Sequence, residues 1–255
     1  MTRVFVGSAP AVVSNSLPKA GTHLLERALC LHPRIYRSLR RTVHDRRVRS
    51  MGDLGDLVPR MRPGELLVTH LSYDTGREDV LSQGNAAGLF LIRDPRDIVI
   101  SQAHYVVKND RHPHYQTLSQ VDDFQQRLRT VIVGDPDRGM PSLRSRLEAY
   151  AGWLSSSSLV VRYEDLIGTS GGGSAKRQLD SLERVFTHIG LELDQAELES
   201  LAGEIFSEAS PTFRRGRIYQ WREQFDEETI ATFNHTVGEF AEIYGYGSHV
   251  PPPGA

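Results

Sequence analysis

The stretch "SNSLPKAGTHLL", residues 14–25, joins a short apolar run to a helix and decides what kind of fold the sequence predicts. It overlaps the run "AVVSN" that starts at Ala11, and Thr22 opens an amphipathic segment. A strand that enters a helix through a short loop leaves the first N–H groups of the helix without acceptors, at the positive end of the helix dipole. The stretch therefore predicts an anion-binding strand–loop–helix unit at the start of an α/β domain.

The lysine of this loop stands before the glycine, in the order Lys19, Ala20, Gly21, Thr22. An ordinary triphosphate-binding loop reads G-x-x-x-x-G-K-[ST], with the lysine after the last glycine. Gly21 would let a phosphate approach the backbone closely, and Lys19 would add a full charge. The candidate donors are the backbone amides from Ala20 to His23. The alternative interpretation is an ordinary turn with a solvated lysine.

Short apolar runs alternate with longer amphipathic ones, which predicts a buried parallel sheet flanked by helices. The predicted strands are "AVVSN" from Ala11, "ELLVTH" from Glu65, "GLFLIR" from Gly88 and "SLVVRYEDL" from Ser158. The predicted helices cover about residues 22–31, 95–108, 121–133, 142–154, 176–189 and 227–244. We expect one α/β domain over residues 1–255, with about five parallel strands and a frayed tail from about residue 248. Its ligands would bind at the carboxyl ends of the strands.

Composition and charge argue against several classes of protein. The chain has 255 residues, of which 39% are hydrophobic and 24% charged, as in ordinary globular domains. Its formal net charge of -2 gives no overall field that would attract nucleic acid or an anionic membrane. No apolar run approaches the ~18 residues of a membrane span. The single cysteine, Cys30, and the lack of a signal-peptide pattern predict a cytoplasmic location.

A second anion-binding element is predicted in "FLIRDPRDIVISQ", residues 90–102. Arg93 ends an apolar strand, and Ser101 follows in the second turn of the next helix. A guanidinium and a hydroxyl that converge in this way can hold one phosphate. Asp94, Arg96 and Asp97 are interpreted as a helix cap and exposed charges of the first turn. The alternative for Arg93 is a capping salt bridge.

A basic turn lies downstream in "SPTFRRGRIYQWREQF", residues 210–225. Arg214 and Arg215 would supply charge, and Gly216 would permit close approach of an anion. By itself the turn is weak evidence for a binding site, since charged turns are usually solvated.

These segments and their order resemble the sulfotransferases that use 3′-phosphoadenosine 5′-phosphosulfate (PAPS). The family's phosphosulfate loop P-K-[SA]-G-T is similar to residues 18–22, and its R-[DN]-x-[KR]-D with a following serine is similar to residues 93–97 with Ser101. Its late R-[KR]-G and W-[KR] are matched by residues 214–216 and 221–222, and its Y-E-D-[LM] by residues 163–166. The resemblance implies a P-loop-kinase-like fold, PAPS as sulfuryl donor, adenosine 3′,5′-bisphosphate (PAP) as product, and no metal.

The resemblance also implies a role for each matched residue. Lys19 and the amides of residues 20–23 would stabilise the leaving phosphate. Arg93 and Ser101 would bind the 3′-phosphate together with Arg214 and Arg215. Ser101 would in addition restrain Lys19 until the acceptor arrives.

A general base is implied in "LLVTHLSYD", residues 66–74. Thr69, His70 and Leu71 match the family pattern K-[TS]-H-L-P. His70 would take the proton of the acceptor hydroxyl, which suits an ordinary imidazole pKa of about 6.5. The alternative is a structural histidine at a strand end.

The sequence departs from the family pattern at three positions. Val68 stands where many members have a lysine beside the base, and Tyr219 where the late motif has a second glycine. Leu24 replaces an adenine-stacking tryptophan, so adenine would pack against Leu24, Tyr163 and Phe206. These changes favour a bacterial or specialised-metabolite branch.

Two other functions stay open at the level of sequence. A P-loop kinase needs glycine-rich spacing, a lysine after the glycine and a magnesium-binding aspartate at a strand end, and only Asp165 could serve as the last of these. A non-catalytic nucleotide-binding protein would keep the phosphate motifs and lose the base.

The acceptor would be held by the loops at residues 34–57, 73–83 and 108–119, since such loops vary freely on a fixed scaffold. The first loop contains "RSLRRTVHDRRVR", residues 37–49. This positive run is either a solvated loop or a selector for an anionic or carrier-bound hydroxylated acceptor. The sequence after Trp221 has no recognisable dimerisation motif.

Overall fold

A computed structural model describes residues 9–83, 86–206 and 216–247 of the chain. Arg214, Arg215 and the predicted tail from about residue 248 lie outside the described residues. The strands are β1 (Ala11–Ser16), β2 (Tyr36–Arg37), β3 (Val43–His44), β4 (Glu65–His70), β5 (Ala86–Ile92) and β6 (Leu159–Arg162).

The α-helices pack around these strands. In chain order they are α1 (Thr22–Cys30), α2 (Val48–Met51), α3 (Leu54–Leu57), α4 (Thr75–Ser82), α5 (Pro95–Val106), α6 (Tyr115–Ser119), α7 (Phe124–Val133), α8 (Leu143–Tyr150), α9 (Tyr163–Leu166), α10 (Ala175–His188), α11 (Gln195–Ile205), α12 (Trp221–Gln224) and α13 (Glu227–Ile243). Short 3₁₀ turns cover Asp45–Arg47, Val58–Arg60, Pro136–Arg138, Ala151–Ser155 and Thr169–Gly171.

The strands form one parallel sheet in the order β2-β4-β1-β5-β6, which confirms the predicted sheet. β3 also pairs with β4, at Thr69 and His70, whereas β2 pairs with it at Glu65 and Leu66. The two short strands therefore follow each other along one edge of the sheet. The chain leaves β1 towards β4 on one side and later returns to β5 on the other. Ligands bind at such a switch in strand order, outside the carboxyl ends.

Both faces of the sheet are buried, which explains why its strands are apolar without alternation. Val13 and Phe90 belong to a core that is closed by α5, α7, α8 and α13. Val12 and Leu89 point to the opposite face, where α1, α10 and α11 cover them. The sheet thus holds the carboxyl ends of β1, β4 and β5 side by side between two layers of helices.

The predicted strand "SLVVRYEDL" is wrong in its second half, because β6 ends at Arg162 and residues 163–166 form the helical turn α9. The turn brings the buried carboxylate of Glu164 to the backbone N–H of Asp94, at 3.0 Å, and to the hydroxyl of Tyr246, at 2.7 Å. These contacts come from distant parts of the chain and oppose the local preference of the apolar residues for a strand.

Helices that the sequence pattern did not predict occur at α4 and α11. α4 lies within the predicted acceptor loop at residues 73–83, and Asp74 caps its first turn. Asp194 and Glu197 form a capping box at the start of α11. In the described part of the chain, no helix combines the length and the apolar character that crossing a membrane would require.

Candidate active site

A cavity of about 1170 Å³ lies at the carboxyl ends of β1, β4 and β5. The side chains and backbone that line it include these predicted site residues: Lys19, Gly21, Thr22, His23, Leu24, His70, Arg93, Ser101, Tyr163, Phe206 and Gly216. Ala20 lies behind the cavity wall and is fully buried. One site therefore collects residues that are far apart in the sequence.

The loop between β1 and α1 has two residues in the left-handed region. Lys19 has a φ of 75° and Gly21 a φ of 102°. The expectation of a free amide at Ala20 is wrong, because this N–H donates to the carbonyl of Leu17 at 3.2 Å and closes the turn. The backbone amides of residues 21–23 form the N-terminal end of α1 and have no acceptor within the described residues. They are therefore available to an anion.

The Lys19 ammonium lies over an aromatic ring. Its Nζ is 3.6 Å from the centroid of Tyr105, and the structure has no hydrogen bond between Lys19 and Ser101. The face of the ring stabilises the positive charge, and Ser101 lines the cavity one helical turn before Tyr105. Burial, with a smaller contribution from the charge of Arg93, lowers the pKa of Lys19 to about 8.

Arg93, Tyr163 and Gly21 are stacked against one another. The guanidinium carbon of Arg93 is 4.3 Å from the centroid of the Tyr163 ring. A Cβ on Gly21 would stand 2.2 Å from Cδ2 of the same ring, so this contact requires glycine. Arg93 Nη2 donates to the carbonyl of Arg217 at 3.1 Å, and its buried Nε has no hydrogen-bond partner. An unsatisfied guanidinium nitrogen at the cavity is suited to an anionic ligand.

The expected exposed charges of the first turn of α5 are buried instead. Asp94 caps the helix as predicted, since it accepts from the N–H of Arg96, but it also binds the Arg96 side chain at 2.8 Å. Asp97 is 1% exposed; it lies 3.5 Å from Arg93 and accepts from the N–H of Trp221 at 3.2 Å. Burial raises the pKa of Asp97 to about 6. The expectation failed because downstream residues cover this turn.

His70 is oriented by the backbone of the neighbouring strand. Its Nδ1 is 2.7 Å from the carbonyl oxygen of Ser16. A carbonyl can only accept, so Nδ1 carries the proton and Nε2 is left with a free lone pair. The hydroxyl of Ser16 is 3.3 Å from Nδ1 and 2.9 Å from the hydroxyl of Thr22, which connects the imidazole to the first residue of α1.

The surroundings of His70 keep its imidazole neutral. Burial lowers the pKa of His70 to about 4; the Ser16 carbonyl opposes this shift, and the neighbouring charges of His44, His23 and Lys19 add to it. The ordinary pKa expected from the sequence therefore does not hold in the folded protein. At neutral pH the side chain is available as a proton acceptor.

A buried amide holds the end of β4 in place. Asn15 donates to the carbonyl of Leu71 at 2.9 Å and accepts from the Thr69 hydroxyl and the Leu71 N–H, each at 2.9 Å. All polar atoms of this amide except one N–H are thereby used. The network fixes the residues on both sides of His70 relative to β1.

The segment that follows the undescribed residues 207–215 is held against the site. Gly216 lines the cavity and has a φ of 57°. The N–H of Ile218 donates to the carbonyl of Gly171 at 3.1 Å. The Trp221 ring stacks on the guanidinium of Arg96 at 4.0 Å. These contacts place Gly216 and Trp221, which belong to the described part of the predicted late motif, near the end of β5.

Apolar side chains line the cavity near the start of α1. Leu24 and Phe206 are partly buried against the core between the sheet and helices α1, α10 and α11. Ile167 and Ile205 line the same cavity. These residues, with the ring of Tyr163, could hold a flat aromatic base.

Three residues that sequence reasoning missed contribute to the cavity. The ring of His44 lies 4.9 Å from that of His70, because β3 pairs with β4 at this position. Tyr105 could have been found from its helical spacing to Ser101. Arg146, on α8, has no local sequence signal, because only the packing of α8 brings it to the cavity.

Among residues 9–83, 86–206 and 216–247, no group of histidine, cysteine and acidic side chains is arranged to hold a metal ion. His112 and His114 have ring centroids 5.4 Å apart in the segment before α6.

Comparison with known families gives one match over most of the chain. The model of the sulfotransferase domain matches residues 10–245. No curated protein gives a significant sequence match.

Several solved structures share the fold. Mouse sulfotransferase SULT7A1, complexed with PAP, is 17% identical, with a TM-score of 0.66 over 95% of this chain and 91% of that chain. Retinol dehydratase, in complex with androsterone and the inactive cofactor PAP, is 16% identical, with a TM-score of 0.61 over 95% of this chain and 82% of that chain. An Arabidopsis thaliana putative steroid sulphotransferase is 14% identical, with a TM-score of 0.54 over 98% of this chain and 81% of that chain.

Proposed function

Because the chain belongs to the sulfotransferase family, whose domain spans residues 10–245, we propose that it transfers a sulfuryl group from PAPS to the hydroxyl group of an acceptor and releases PAP. One observation carries the proposal. A neutral imidazole with a free Nε2 faces the same cavity as the free amides of residues 21–23 and the ammonium of Lys19. A proton acceptor is thereby combined with a site for a leaving phosphate.

The residues of the cavity fit a nucleotide that carries two phosphate groups. The amides of residues 21–23 lack acceptors, and the buried Nε of Arg93 lacks one as well. Arg93 and Ser101 would hold the 3′-phosphate, with Arg214, Arg215 and Gly216 as further contributors. Leu24, Tyr163 and Phe206 would pack against the adenine. PAPS supplies the activated sulfuryl group, and PAP in the structures of relatives supports this choice of donor.

Lys19 would stabilise the negative charge that develops on the leaving phosphate. With a pKa of about 8 it is protonated at neutral pH, and its desolvation makes the charge more effective than in water. Its contact with Tyr105 keeps the ammonium inside the cavity. The role assigned to Ser101 as a restraint on Lys19 stays a prediction for the loaded enzyme.

His70 would act as the general base. Its Nδ1–H bond to the Ser16 carbonyl fixes the tautomer and stabilises the positive charge that the ring acquires when Nε2 takes the proton of the acceptor hydroxyl. The retained base favours catalysis over mere nucleotide binding. Family membership and the lysine before the glycine disfavour a kinase.

The proposal also covers the setting of the enzyme. It would be a single catalytic domain over residues 1–255, located in the cytoplasm, that acts on a small-molecule or carrier-bound acceptor of specialised metabolism. The lone Cys30 supports the location, and the departures at Val68 and Leu24 support the metabolic branch.

Discrimination between nucleotides tests the donor. Wild-type protein should bind PAP at least about tenfold more tightly than AMP, because a charge-assisted contact to the 3′-phosphate contributes roughly 1.5–3 kcal/mol. Arg93→Ala should abolish most of this difference in titration calorimetry. Arg129→Ala, which removes an arginine that is paired with Asp226, is the matched control and should preserve it. Equal affinity of the wild-type protein for PAP and AMP would contradict the proposed function.

A further inference from the structure

Among the described residues, the cavity wall carries more arginine charge than its carboxylates neutralise. The two acidic residues that line it within the described residues are already paired. Glu26 binds Arg37 at 2.8 Å, and Asp45 binds Arg77 at 2.8 Å. Four other arginines of the wall make no ion pair in the described part of the chain: Arg27, Arg46, Arg111 and Arg146.

Arg146 is the most informative of the four because two of its guanidinium nitrogens are buried. Its guanidinium donates to the side-chain carbonyl of Gln102, while Nε and Nη2 are shielded from solvent and have no hydrogen-bond partner. Burial without a counter-charge lowers the pKa of Arg146 to about 10. A guanidinium that is held out of water with two nitrogens unused is costly unless a ligand completes its contacts.

The neighbours of Arg146 do not compensate its charge. Burial lowers the pKa of His112 to about 4, and the charges of His114, Arg46, Lys19 and Arg146 lower it further. Burial, followed by the charges of Arg146 and Arg46, also lowers the pKa of His114. The group therefore contains two arginines and two neutral imidazoles, all of which can donate hydrogen bonds.

This group lies on the acceptor side of the cavity. The charges of both Lys19 and Arg146 lower the pKa of His112. The group of Arg46, Arg146, His112 and His114 therefore lies near the lysine that would face the reacting phosphate. The Tyr105 ring, over which the Lys19 ammonium lies, has its centroid 5.8 Å from that of the His112 ring, and Arg146 donates to Gln102, the residue after Ser101 on α5. An acceptor whose hydroxyl reaches His70 would thus extend towards Arg146.

We propose that the acceptor carries an anionic oxygen group, such as a carboxylate, sulfate or phosphate, which is bound by Arg146 with Arg46 and His112. The inference rests on the proposed function and adds the substrate class to it. A neutral apolar acceptor would leave the guanidinium buried and unpaired, whereas an oxyanion would accept from its two unused nitrogens. Of the basic run at residues 37–49, only Arg46 belongs to this subsite; Arg37 and Arg40 bind Glu26 and Glu65.

The test uses protein saturated with PAP, so that the phosphate sites of the nucleotide are filled. The probes are inorganic phosphate and matched pairs of hydroxylated compounds, such as hydroxyphenylacetate with its amide, in calorimetry at constant ionic strength. In each pair of compounds, the carboxylate should bind at least about tenfold more tightly than the amide, as expected for one charge-assisted hydrogen bond. Arg146→Gln should remove this preference, and Arg146→Lys should restore part of it.

Arg144→Gln is the matched control because it removes the same charge from the same helix. Arg144 points outward and binds Glu239 at 3.2 Å, so its loss should leave the preference intact. PAP affinity and melting temperature report the folding of each variant. If the wild type does not bind PAP, the proposed function fails. If the wild type binds PAP but binds neither inorganic phosphate nor any carboxylate more tightly than the matching amide, the inference about the acceptor fails. The same holds if no probe binds.

Discussion

At the scale of single residues, one environment acts on two catalytic candidates in the same direction. Burial lowers the pKa of Lys19 to about 8 and that of His70 to about 4, because both side chains are bases whose charged form is penalised. Both pKa values are consistent with the assigned roles at neutral pH. Lys19 stays protonated and His70 stays neutral over the range between the two values.

The first prediction at this scale is a broad pH profile. The active form needs neutral His70, which is lost below about pH 4, and protonated Lys19, which is lost above about pH 8. With an aliphatic alcohol as acceptor, kcat/KM for PAPS should stay level through about pH 5–7, where an ordinary imidazole of pKa about 6.5 would already lose activity. Steady-state rates over the range in which circular dichroism shows folded protein check this.

Two variants assign the limbs of this profile. Lys19→Arg should remove the alkaline limb, since an arginine stays charged throughout. His70→Asn should lower kcat by about 10²–10⁴-fold while PAP affinity is retained. An acid limb with its midpoint at about pH 6.5 would contradict the influence of burial on the pKa of His70.

At the scale of elements, the entry to α1 depends on a contact with α9. Gly21 occupies a positive φ of 102°, and the ring of Tyr163 fills the space where a side chain would begin. The same ring supports the Arg93 guanidinium. The geometry of the loop and the position of the phosphate-binding arginine are therefore one structural feature.

Gly21→Ala tests this coupling. A Cβ there would stand 2.2 Å from the Tyr163 ring in a backbone conformation that L-residues avoid. Strain and displacement of the ring should lower the free energy of unfolding by roughly 2–4 kcal/mol and weaken PAP binding at least about tenfold. Urea unfolding and calorimetry measure the two effects.

The control for this substitution is Gly238→Ala. Gly238 lies within α13, and a Cβ there would meet nothing within 4 Å. This change should stabilise the protein by up to about 1 kcal/mol, as for glycine in an open helical position. If Gly21→Ala likewise left the free energy of unfolding and PAP affinity undiminished, the contact between Gly21 and Tyr163 would not be needed for stability or binding.

At the scale of the whole molecule, a buried polar network joins the C-terminal segment to the sheet. Glu164 accepts from the Asp94 N–H and from the hydroxyl of Tyr246, and Arg96 donates to the backbone carbonyl of Tyr246 at 3.1 Å. Burial raises the pKa of Glu164 to about 7, although both hydrogen bonds oppose this shift. The network links the ends of β5 and β6 to the residues that follow α13.

The raised pKa of Glu164 predicts a pH-dependent stability. Its folded-state value of about 7 exceeds the ordinary 4.5, so the contribution is fully present below about pH 4.5 and is lost as the pH rises through 7. Glu164→Gln mimics the protonated form, so the free energy of unfolding of this variant relative to wild type should increase from pH 4.5 to about pH 8 by up to about 3 kcal/mol.

Urea unfolding at several pH values measures this difference. Glu183→Gln, which changes an exposed glutamate on α10, is the control. A difference between Glu164→Gln and wild type that does not vary with pH would show that the carboxyl group titrates in its ordinary range.

The sequence by itself determined the parallel sheet, the main helices and the residues that match the sulfotransferase motifs. These features are local: runs of apolar residues set strands and helices, and the order of the strand, loop and helix at residues 14–25 predicts an anion site wherever the sheet places it. Arg93 could be named because it directly follows an apolar strand and Lys19 because it precedes the glycine of the loop, whereas His70 was named through the resemblance to the family pattern.

Only the tertiary structure decided the state of those residues and the composition of the acceptor side. The pKa values of Lys19 and His70 depend on burial, and burial depends on which helices cover the strand ends. Asp97 is buried because the segment of Trp221 packs on it, and Arg146 reaches the cavity because of how α8 packs. Such contacts join residues far apart in the chain. Motifs and periodicity are local patterns, so they contain no information about these contacts.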